Sequence, residues 1–242
     1  MDRPQVVSQD EWLAARKDLL SREKMATEAK DEVDARRRAL PMVEIAKEYA
    51  FAGPGGQAGL PDLFGGRRQL IVYHFMWRHE ESGFPGQDQG CPTCSVVADS
   101  IGDLSHLRAS DTTLVLVSRA PLASIERFRK RMGWPVPWYS SLGSDFNYDF
   151  HVSLDENVAP LEYNYKDKTT LERELPYIQS GRDAHGLSVF LRDGDRVFHT
   201  YSTYGRGVDQ LIGTYQYLDL TPLGRQRRVN EFSYHDKYES AP

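Results

Sequence analysis

Two apolar runs constrain the fold more than any other feature of the sequence. The first extends from Gln69 to Trp77 and the second from Thr112 to Ser118. Short, nearly continuous runs are typical of strands buried on both faces, as in a parallel or mixed sheet covered by helices. A helical pattern from Ser95 to Leu107 joins them, and a second helix is predicted from Leu122 to Met132, with Gly133 as its stop. Because such crossovers are right-handed, this order predicts two parallel neighbours in one sheet.

A hairpin and a closing helix are predicted further along the chain. The runs Leu187 to Leu191 and Arg196 to Tyr201 flank Asp193-Gly194. An Asp-Gly pair between two such runs is a strong hairpin signal, because a type I′ turn needs positive φ at its central residues. The apolar spacing from Gly207 to Leu218 predicts the final helix.

The remaining segments are less regular. Residues 134–180 are rich in aromatic and turn-forming side chains and predict an irregular insertion, with a short strand near Trp138 and a helix from Thr169 to Gln179. Glu48 to Phe51 predicts another short strand. The glycine-rich loop Gly53 to Gly59 lacks the Lys-Ser/Thr of a phosphate loop, so a hairpin is expected there.

The N-terminal segment has mixed charge and a thin apolar pattern. Ser8 and Glu11 form a capping-box pattern that predicts the start of a helix, and Pro41 should end it. We expect either a solvated helical arm packed by one narrow stripe or a dimerisation arm. The predicted parts of the chain are a helical arm at 1–48, a main domain at 49–220 and a loose C-terminal tail at 221–242.

Charge and hydropathy disfavour two classes of partner. The net charge is −5, so we expect no electrostatic attraction to nucleic acid or to an anionic membrane. Residues 1–18 lack an apolar stretch of signal-peptide length, and no run approaches the roughly 20 apolar residues of a membrane span. We therefore expect a soluble, cytoplasmic protein without a cofactor. In a reducing cytosol, a lone cysteine pair is more often catalytic or metal-binding than structural.

The two cysteines of the chain lie together in Cys91-Pro92-Thr93-Cys94, after the first apolar run and before a helical pattern. A Cys-x-x-Cys at a strand-to-helix junction acidifies one thiol and gives it a partner. Cys91 is predicted to be the attacking thiol, because free N–H groups and the helix dipole stabilise its thiolate. Cys94, one turn further on, would resolve the mixed disulfide. Pro92 and Thr93 are candidate substrate contacts.

Two other interpretations of the cysteines stay open. They are small core residues without chemistry, or they form half of a zinc site that His74 or His79 completes. A second Cys-x-x-Cys or a His-x₃-His is absent from the sequence, so a closed site lacks evident ligands and we predict no metal.

Other side chains are candidates for the surroundings of the cysteines. Arg119 follows the second strand at the sheet edge that carries the cysteine loop, where it would stabilise the attacking thiolate or an anionic substrate; the alternative is a surface arginine. Trp77 and His79 are candidates for the entrance. Trp138 and Tyr139 are candidates for an aromatic wall, with a core or dimer-contact role as the alternative.

Several motifs together resemble one known family. They are Leu70-Ile-Val-Tyr-His-Phe-Met-Trp77, Gly90-Cys-Pro-Thr-Cys-Ser95, Ser118-Arg-Ala-Pro121, Arg131-Met-Gly-Trp134, Pro137-Trp-Tyr-Ser-Ser141 and Ser144-Asp-Phe-Asn-Tyr-Asp-Phe150. Over nearly its whole length the sequence resembles the thioredoxin-like family catalogued as domain of unknown function 899. The resemblance implies an α/β fold, a thioredoxin-like mixed sheet flanked by helices, here with an N-terminal helical arm and an irregular aromatic-rich insertion. It also implies a dithiol, but it names no substrate.

The sequence departs from better-understood relatives of that fold in two places. Where thioredoxins carry a cis-proline facing the dithiol, this chain has His185-Gly186. His185 is therefore a candidate proton carrier, or simply a loop histidine, and Gly186 is a candidate substrate contact. Where peroxiredoxins carry threonine three residues before the reactive thiol, this chain has Asp88, which weakens a peroxidase interpretation.

The leading hypothesis is a thiol–disulfide oxidoreductase that acts on a protein or small-molecule disulfide and is served by a thiol reductant. One alternative is a thioredoxin-like module that binds a ligand or zinc without turnover. A weaker alternative is a thiol-dependent peroxidase. A homodimer through the N-terminal arm is a further possibility.

Overall fold

The two apolar runs lie side by side in a computed structural model, which describes residues 4–78 and 87–238. The strands of these residues are, in chain order, β1 (Val43–Glu44), β2 (Ala50–Gly53), β3 (Gly56–Gly59), β4 (Gln69–His74), β5 (Trp77–Arg78), β6 (Gln89–Gly90), β7 (Thr112–Ser118), β8 (Trp138–Ser140), β9 (Ser153–Leu154), β10 (Glu162–Tyr163), β11 (Lys166–Asp167), β12 (Arg182–Asp183), β13 (Gly186–Asp193) and β14 (Arg196–Tyr204). The two runs are β4 and β7, and they pair in parallel as the crossover rule predicts. The first strand ends at His74 rather than at Trp77, because β5 pairs with β6 outside the main sheet.

The helices flank this sheet. Those of the described residues are α1 (Gln9–Arg38), α2 (Pro92–Asp99), α3 (Ser105–Ala109), α4 (Leu122–Met132), α5 (Phe146–Asp149), α6 (Lys168–Glu174) and α7 (Gly213–Leu218). Gly133 ends α4 in the left-handed conformation, as predicted. The helix predicted over 95–107 is instead α2 and α3, separated around Gly102, since glycine is a poor helix former. The predicted last helix is a 3₁₀ turn, Gly205–Leu211, followed by α7.

The strand order of the main sheet identifies the fold. It runs β1-β14-β13-β4-β7-β8-β2-β3. Its centre combines the parallel pair β4 and β7 with an antiparallel hairpin of β13 and β14, and helices follow β4, β7 and β14. This is the thioredoxin-like arrangement, so the predicted fold class of a mixed sheet flanked by helices is confirmed. Within the described residues, no helix has the length and apolar character needed to cross a membrane.

The β13–β14 turn differs in type from the prediction. Asp193 pairs with Arg196, so the two loop residues are Gly194 and Asp195. Gly194 has a φ of 60°, whereas Asp195 has a negative φ. A type I′ turn needs positive φ at both central residues, so the hairpin is present but its turn is of another type.

Alternation of side chains along β4 separates two cores. Tyr73 faces the first core, which lies against α2 and α4 and contains both cysteines. The neighbouring His74 faces the opposite side of the sheet and packs on Phe146 and Phe150 of the second core. Each large apolar side chain buried in these cores contributes roughly 1.5–3 kcal/mol.

The insertion between α4 and β13 builds a third, smaller core around Tyr163 and Leu171. Its short strands pair two by two, β9 with β12 and β10 with β11. The predicted strand near Trp138 is β8. The helix α6 ends earlier than predicted because Leu175 precedes Pro176, and a residue before proline avoids the helical conformation.

The N-terminal arm is a long helix, α1, none of whose residues is buried. Ser8 and Glu11 form the predicted capping box, in which the Ser8 N–H donates to the Glu11 carboxylate at 2.9 Å. The helix ends at Arg38, before Pro41 as expected. The following strand, β1, pairs with β14, so the segment assigned to the arm also adds a strand to the sheet. The boundary of the arm at residue 48 stays a prediction.

Residues 221–238 pack on the main domain and do not form the predicted loose tail. Tyr234 is 8% exposed, and its hydroxyl donates a hydrogen bond to the Gly90 carbonyl oxygen at 2.6 Å. The Arg131 guanidinium donates two further hydrogen bonds to Asp236, at 2.7 and 2.8 Å. The prediction was wrong because it rested on average composition, whereas one buried aromatic ring and one ion pair hold the segment.

Candidate functional site

Cys91 is the N-cap residue of α2 and directly follows β6. Its backbone is extended, and Pro92 takes the first helical position, where a missing N–H has no helical partner to lose. The Cys91 carbonyl accepts the hydrogen bond of the Ser95 N–H at 3.0 Å and so begins the helix. The backbone N–H groups of Thr93 and Cys94, which the helix leaves unpaired at this end, lower the pKa of the Cys91 thiol. The predicted strand-to-helix junction is thus present at the cysteines.

The surroundings of Cys91 favour its thiolate. The neighbouring Cys94 side chain is the largest influence that lowers the pKa of Cys91 to about 6. The two backbone N–H groups and the positive charge of Arg78 act in the same direction, while burial opposes them. At neutral pH Cys91 is therefore mostly ionised and able to attack an electrophilic sulfur.

Cys94 has the opposite tendency. Its side chain is fully buried, and burial, followed by the interaction with the neighbouring Cys91, raises its pKa well above the ordinary value. The Tyr73 hydroxyl is buried in the same region and has no hydrogen-bond partner among the described residues. Its proximity to the Cys94 sulfur acts against burial and lowers the pKa of Cys94. The pair therefore consists of one acidic thiol and one thiol that stays protonated until its partner is consumed.

A cavity of about 480 Å³ opens beside Cys91. Trp77, Arg78 and Thr93 line it on the side of the cysteines. The opposite side comes from the insertion, from the β10–β11 hairpin to β12, and from Gly205–Arg206. Trp77 and Thr93 therefore lie where the sequence predicted substrate contacts, and the insertion supplies most of the remaining wall. His79 lies outside the described residues.

His185 lies in the same cavity, immediately before β13. Its Nε2–H donates to the Gly205 carbonyl oxygen at 3.3 Å, which leaves Nδ1 with a free lone pair. Burial lowers the pKa of His185, so the imidazole is neutral. The Tyr163 hydroxyl donates to the His185 carbonyl oxygen at 2.8 Å and accepts from the Gly205 N–H at 2.9 Å, which fixes the loop. The structure therefore brings His185 and Cys91 to one cavity.

Arg119 does not occupy the position predicted for it beside the thiolate. Its guanidinium bonds to Asp183 at 3.2 Å and to the Tyr148 hydroxyl at 3.0 Å. The cation that acts on Cys91 is Arg78. The prediction relied on the shared sheet edge, but the Arg119 side chain points toward the insertion, which lies along the same edge.

Three other predicted substrate contacts belong to the packing of the domain. Trp138 is 1% exposed in the first core, and its Nε1–H donates to the Ser118 hydroxyl at 3.0 Å. Tyr139 packs against Gly53, where a Cβ atom would lie 2.5 Å from its ring. Gly186 packs under Tyr204 in the same way, at 2.6 Å. The aromatic wall predicted from Trp138 and Tyr139 is thus replaced by the insertion. Pro92 serves to begin α2.

The zinc interpretation loses one of its two candidate histidines. His74 lies on the sheet face opposite the cysteines, stacked on Phe150 with ring centroids 5.9 Å apart, and its Nε2 bonds to the Ser188 hydroxyl at 2.8 Å. Among residues 4–78 and 87–238, no group of three or more His, Cys, Asp or Glu side chains is placed to hold a metal ion.

Sequence reasoning placed Arg78 only in the charged cluster after Trp77 at the entrance and not beside the thiolate, and it did not single out Tyr73, Tyr163 or Asp183 as site residues. Arg78 directly follows the first apolar run, a position from which a side chain at the strand end reaches the Cys-x-x-Cys loop. For Tyr163 and Asp183 no local signal exists, because their places depend on pairing between two-residue strands of the insertion.

The chain was compared with known proteins. A family model described as a bacterial protein of unknown function, DUF899, matches residues 1–238. The chain belongs to this family. No curated protein matches its sequence. DUF899 membership agrees with the motifs around Cys91 that resemble the same family.

Solved structures similar to this DUF899 chain include a bacterioferritin comigratory protein of Xanthomonas campestris with alkyl peroxide reduction activity (TM-score 0.40, 13% identity, 74% of this chain and 98% of that chain). A cysteine-to-serine mutant of PrxQ from Xylella fastidiosa has a TM-score of 0.43 and 12% identity, over 70% of this chain and 88% of that chain. A putative thiol:disulfide interchange protein DsbE of Chlorobium tepidum has a TM-score of 0.37 and 13% identity, over 72% of this chain and 97% of that chain.

Proposed function

We propose that the protein is a thiol–disulfide oxidoreductase in which Cys91 attacks and Cys94 resolves. The observation that supports this most directly is the difference between two neighbouring thiols. The neighbouring Cys94 side chain and the N–H groups of the helix N-terminus lower the pKa of Cys91 to about 6, whereas burial raises the pKa of Cys94 and keeps it protonated. If the two cysteines were only packed core residues, burial would raise the pKa of both thiols. A lowered pKa of one of them is not expected of such a pair.

The reaction begins when the Cys91 thiolate attacks one sulfur of a disulfide, forms a mixed disulfide and releases the other sulfur as a thiolate. Consumption of the Cys91 charge removes one of the influences, after burial, that keep Cys94 protonated. Cys94 then loses its proton and attacks the Cys91 sulfur, which releases the second substrate thiolate and leaves Cys91 and Cys94 joined. A thiol reductant restores the dithiol.

The proposal also includes a cytoplasmic location, where such a reductant is available. It further includes a neutral His185 imidazole that takes up the proton released by Cys94. The free Nδ1 lone pair of His185 supports that role. The proposed reaction involves neither nucleic acid nor a membrane.

Differential alkylation at graded pH, read by mass spectrometry, tests the proposal. Cys91 should alkylate with a midpoint near pH 6, Cys94→Ser should accumulate a mixed disulfide on Cys91, and Cys91→Ser should lose disulfide reduction. A Cys91 thiol of ordinary acidity that never cycles would contradict the proposal and favour a binding module. Peroxide consumption that requires Cys91 and exceeds disulfide turnover would instead establish the peroxidase alternative. Stoichiometric zinc that resists dialysis would overturn both.

A further inference from the structure

The peptide group that precedes Cys91 is held at both of its polar atoms. Its N–H, which belongs to Cys91, donates to the Met76 carbonyl oxygen at 3.0 Å. Its carbonyl oxygen, which belongs to Gly90, accepts the hydrogen bond of the Tyr234 hydroxyl at 2.6 Å. The orientation of this peptide group is therefore fixed from two sides, and one of them comes from a distant part of the chain.

The strand pairing at this point leaves the Gly90 carbonyl for Tyr234. Gly90 pairs with Trp77 in the two-stranded β5–β6 ladder, and the hydrogen bond from Cys91 to Met76 lies directly beside that pair. In an antiparallel ladder, a pair flanked in this way is not itself hydrogen-bonded, so the Gly90 carbonyl points away from β5. A buried carbonyl without a partner costs roughly 1–3 kcal/mol. The Tyr234 hydroxyl removes that cost.

The aromatic ring of Tyr234 is held independently of its hydroxyl. The ring packs edge-on against Phe128, with centroids 5.6 Å apart, and the Arg131 guanidinium lies 4.9 Å from its centre. Burial raises the pKa of Tyr234 to about 12, so the hydroxyl stays protonated and donates at neutral pH. A phenylalanine in this place would keep the ring contacts and lose one hydrogen bond.

Three consecutive side chains attach this part of the chain to both ends of the cysteine segment. The Tyr234 hydroxyl bonds to the residue before Cys91. His235 Nδ1 lies 2.6 Å from the carboxylate of Asp99, the last residue of α2. Asp236 accepts two hydrogen bonds from α4. One short segment therefore holds α2 and the peptide group before it on the rest of the domain.

The backbone of Cys91 is also held on its helix side. The Cys91 carbonyl oxygen accepts hydrogen bonds from the Ser95 N–H at 3.0 Å and from the Ser95 hydroxyl at 2.9 Å. Because the preceding peptide group is held too, both torsions of Cys91 are constrained, at a φ of −66° and a ψ of 131°. These torsions place Cys91 where the N–H groups of Thr93 and Cys94 lower the pKa of its thiol.

We propose that Tyr234 is a positioning residue for the redox pair of Cys91 and Cys94: its hydroxyl fixes the peptide group before Cys91 and so keeps the Cys91 sulfur at the start of α2, where N–H groups stabilise the thiolate. This inference rests on the proposed function. In that reaction the Cys91 thiolate and the Cys94 thiol pass two electrons to the substrate disulfide. The Cys91–Cys94 bond forms as the substrate S–S bond breaks, two substrate thiolates leave, and the Cys94 proton passes to His185.

The proposal predicts a change in the balance between the dithiol and the disulfide. Only the reduced form contains the Cys91 thiolate, so loss of the Tyr234 hydrogen bond destabilises the reduced form relative to the disulfide. A merely structural tyrosine would instead contribute equally to both forms, and its loss would lower only the free energy of unfolding.

Tyr234→Phe tests this, with Tyr204→Phe as the matched control. The Tyr204 hydroxyl also donates to a backbone carbonyl oxygen in a buried place, that of Phe150 at 3.0 Å, but Tyr204 belongs to the third core. Differential alkylation gives the midpoint of Cys91 in each protein. Equilibration with dithiothreitol at pH 8 gives the fraction of Cys91–Cys94 disulfide, and urea unfolding gives the stability.

Tyr234→Phe should raise the alkylation midpoint by about 0.5 pH units and shift the equilibrium about threefold toward the disulfide, because a less stable thiolate disfavours the reduced form. Tyr204→Phe should lower the free energy of unfolding to a similar extent and change neither redox quantity.

Two results would overturn the inference and leave the proposed function standing. One is a Tyr234→Phe protein with the midpoint and the equilibrium of the natural protein. The other is an equal redox shift in both variants, because the shift would then follow from lost stability alone. A natural protein in which Cys91 and Cys94 never form a disulfide would overturn the proposed function, and the role of Tyr234 with it.

Discussion

The Arg119 guanidinium bonds to Asp183 Oδ1 at 3.2 Å, and Asp183 lines the cavity beside Cys91. Both side chains are largely buried, so each charge depends on the other. Arg119 therefore acts on the site through Asp183, as a positioning residue, while Arg78 acts on the Cys91 charge directly. The two arginines have different functions that substitution can distinguish.

Arg78→Gln should weaken the Cys91 thiolate. Loss of a neighbouring positive charge raises the pKa of a thiol, so the alkylation midpoint of Cys91 should move about 0.5–1 pH units upward. The matched substitution Arg119→Gln should leave that midpoint in place but destabilise the fold by about 3 kcal/mol, because it removes the Arg119 side of an ion pair with a buried carboxylate. Alkylation and urea unfolding of both variants decide the point, and an equal effect of both on the midpoint would contradict the assignment.

Tyr73→Phe should slow the second half of the reaction without loss of stability. The Tyr73 hydroxyl is buried without a satisfied hydrogen bond, so its removal should change the free energy of unfolding by less than about 1 kcal/mol. It should also remove an interaction that favours the Cys94 thiolate. Single-turnover kinetics should show an unchanged attack by Cys91 and a slower release of the second thiol. A slower attack with unchanged release would show that Tyr73 acts elsewhere.

A hydrogen-bonded chain crosses the sheet on the face opposite the cysteines. His74 Nε2 and the Ser188 hydroxyl are 2.8 Å apart, Ser188 and Ser202 are 2.8 Å apart, and Ser202 lies 2.7 Å from His199 Nε2. Because His74 Nδ1 is buried without a partner, the favourable arrangement has the proton on Nε2, which donates to Ser188. Each hydroxyl then donates to the next group, and His199 accepts.

The buried histidine in this hydrogen-bonded chain predicts that the fold loses stability at acidic pH. Burial lowers the pKa of His74 to about 3, against an ordinary value of 6.5 in the unfolded chain. Between these pH values the unfolded state therefore binds more protons at His74 than the folded state does. Above pH 6.5 His74 does not reduce the free energy of unfolding. As the pH decreases from 6.5 toward 3, that free energy falls by up to about 1.4 kcal/mol per pH unit. His185 and His199 add slopes of the same sign, because burial lowers their pKa values too.

His74→Gln keeps a donor near Ser188 and removes the titrating ring. Urea unfolding at several pH values between 7.5 and 4.5 should show a shallower loss of stability in the variant than in the natural protein. Parallel pH profiles for the two proteins would contradict the role given to His74.

The helix α1 carries exposed apolar side chains on one face. Trp12, Leu19 and Val33 are each about half exposed and recur at heptad spacing. Its first turn is acidic, with Asp10 and Glu11, and its last turn is basic, so two antiparallel copies would place opposite charges together. A homodimer through the arm stays a prediction. Its expected geometry is the antiparallel pairing of two α1 helices.

Light scattering at graded concentrations checks the dimer. The natural protein should have twice the mass of one chain, and Leu19→Glu should lower that mass toward one chain, because a charge in an apolar seam is poorly solvated. Ala14→Glu, on the other side of α1, should not. A natural protein that is monomeric at every concentration would contradict the prediction.

The parts of the fold that the sequence predicts are those with local causes. Continuous apolar runs specify β4 and β7, a left-handed glycine ends α4, and a two-residue turn joins β13 to β14. The strand-to-helix position of Cys91 follows from the same local signals, and so does its acidity.

The wall of the cavity has no such local cause. Strands as short as β9 and β12 form only because the third core holds them together, and composition cannot show which segment packs on which. For the same reason sequence reasoning assigns Arg119 to the thiolate and Trp138 to the substrate, although one pairs with Asp183 and the other is core.

The hydrogen bond from Tyr234 to the Gly90 carbonyl oxygen joins residues that are 144 positions apart. A chain made from its N-terminus therefore exposes the two cysteines to solvent and oxidants well before the residue that secures their loop has been synthesised. During that interval the thiols lack both the buried surroundings and the fixed helix start that distinguish them. The thiols of the nascent chain are consequently more open to oxidation than those of the folded protein, until Tyr234 has joined the Gly90 carbonyl oxygen.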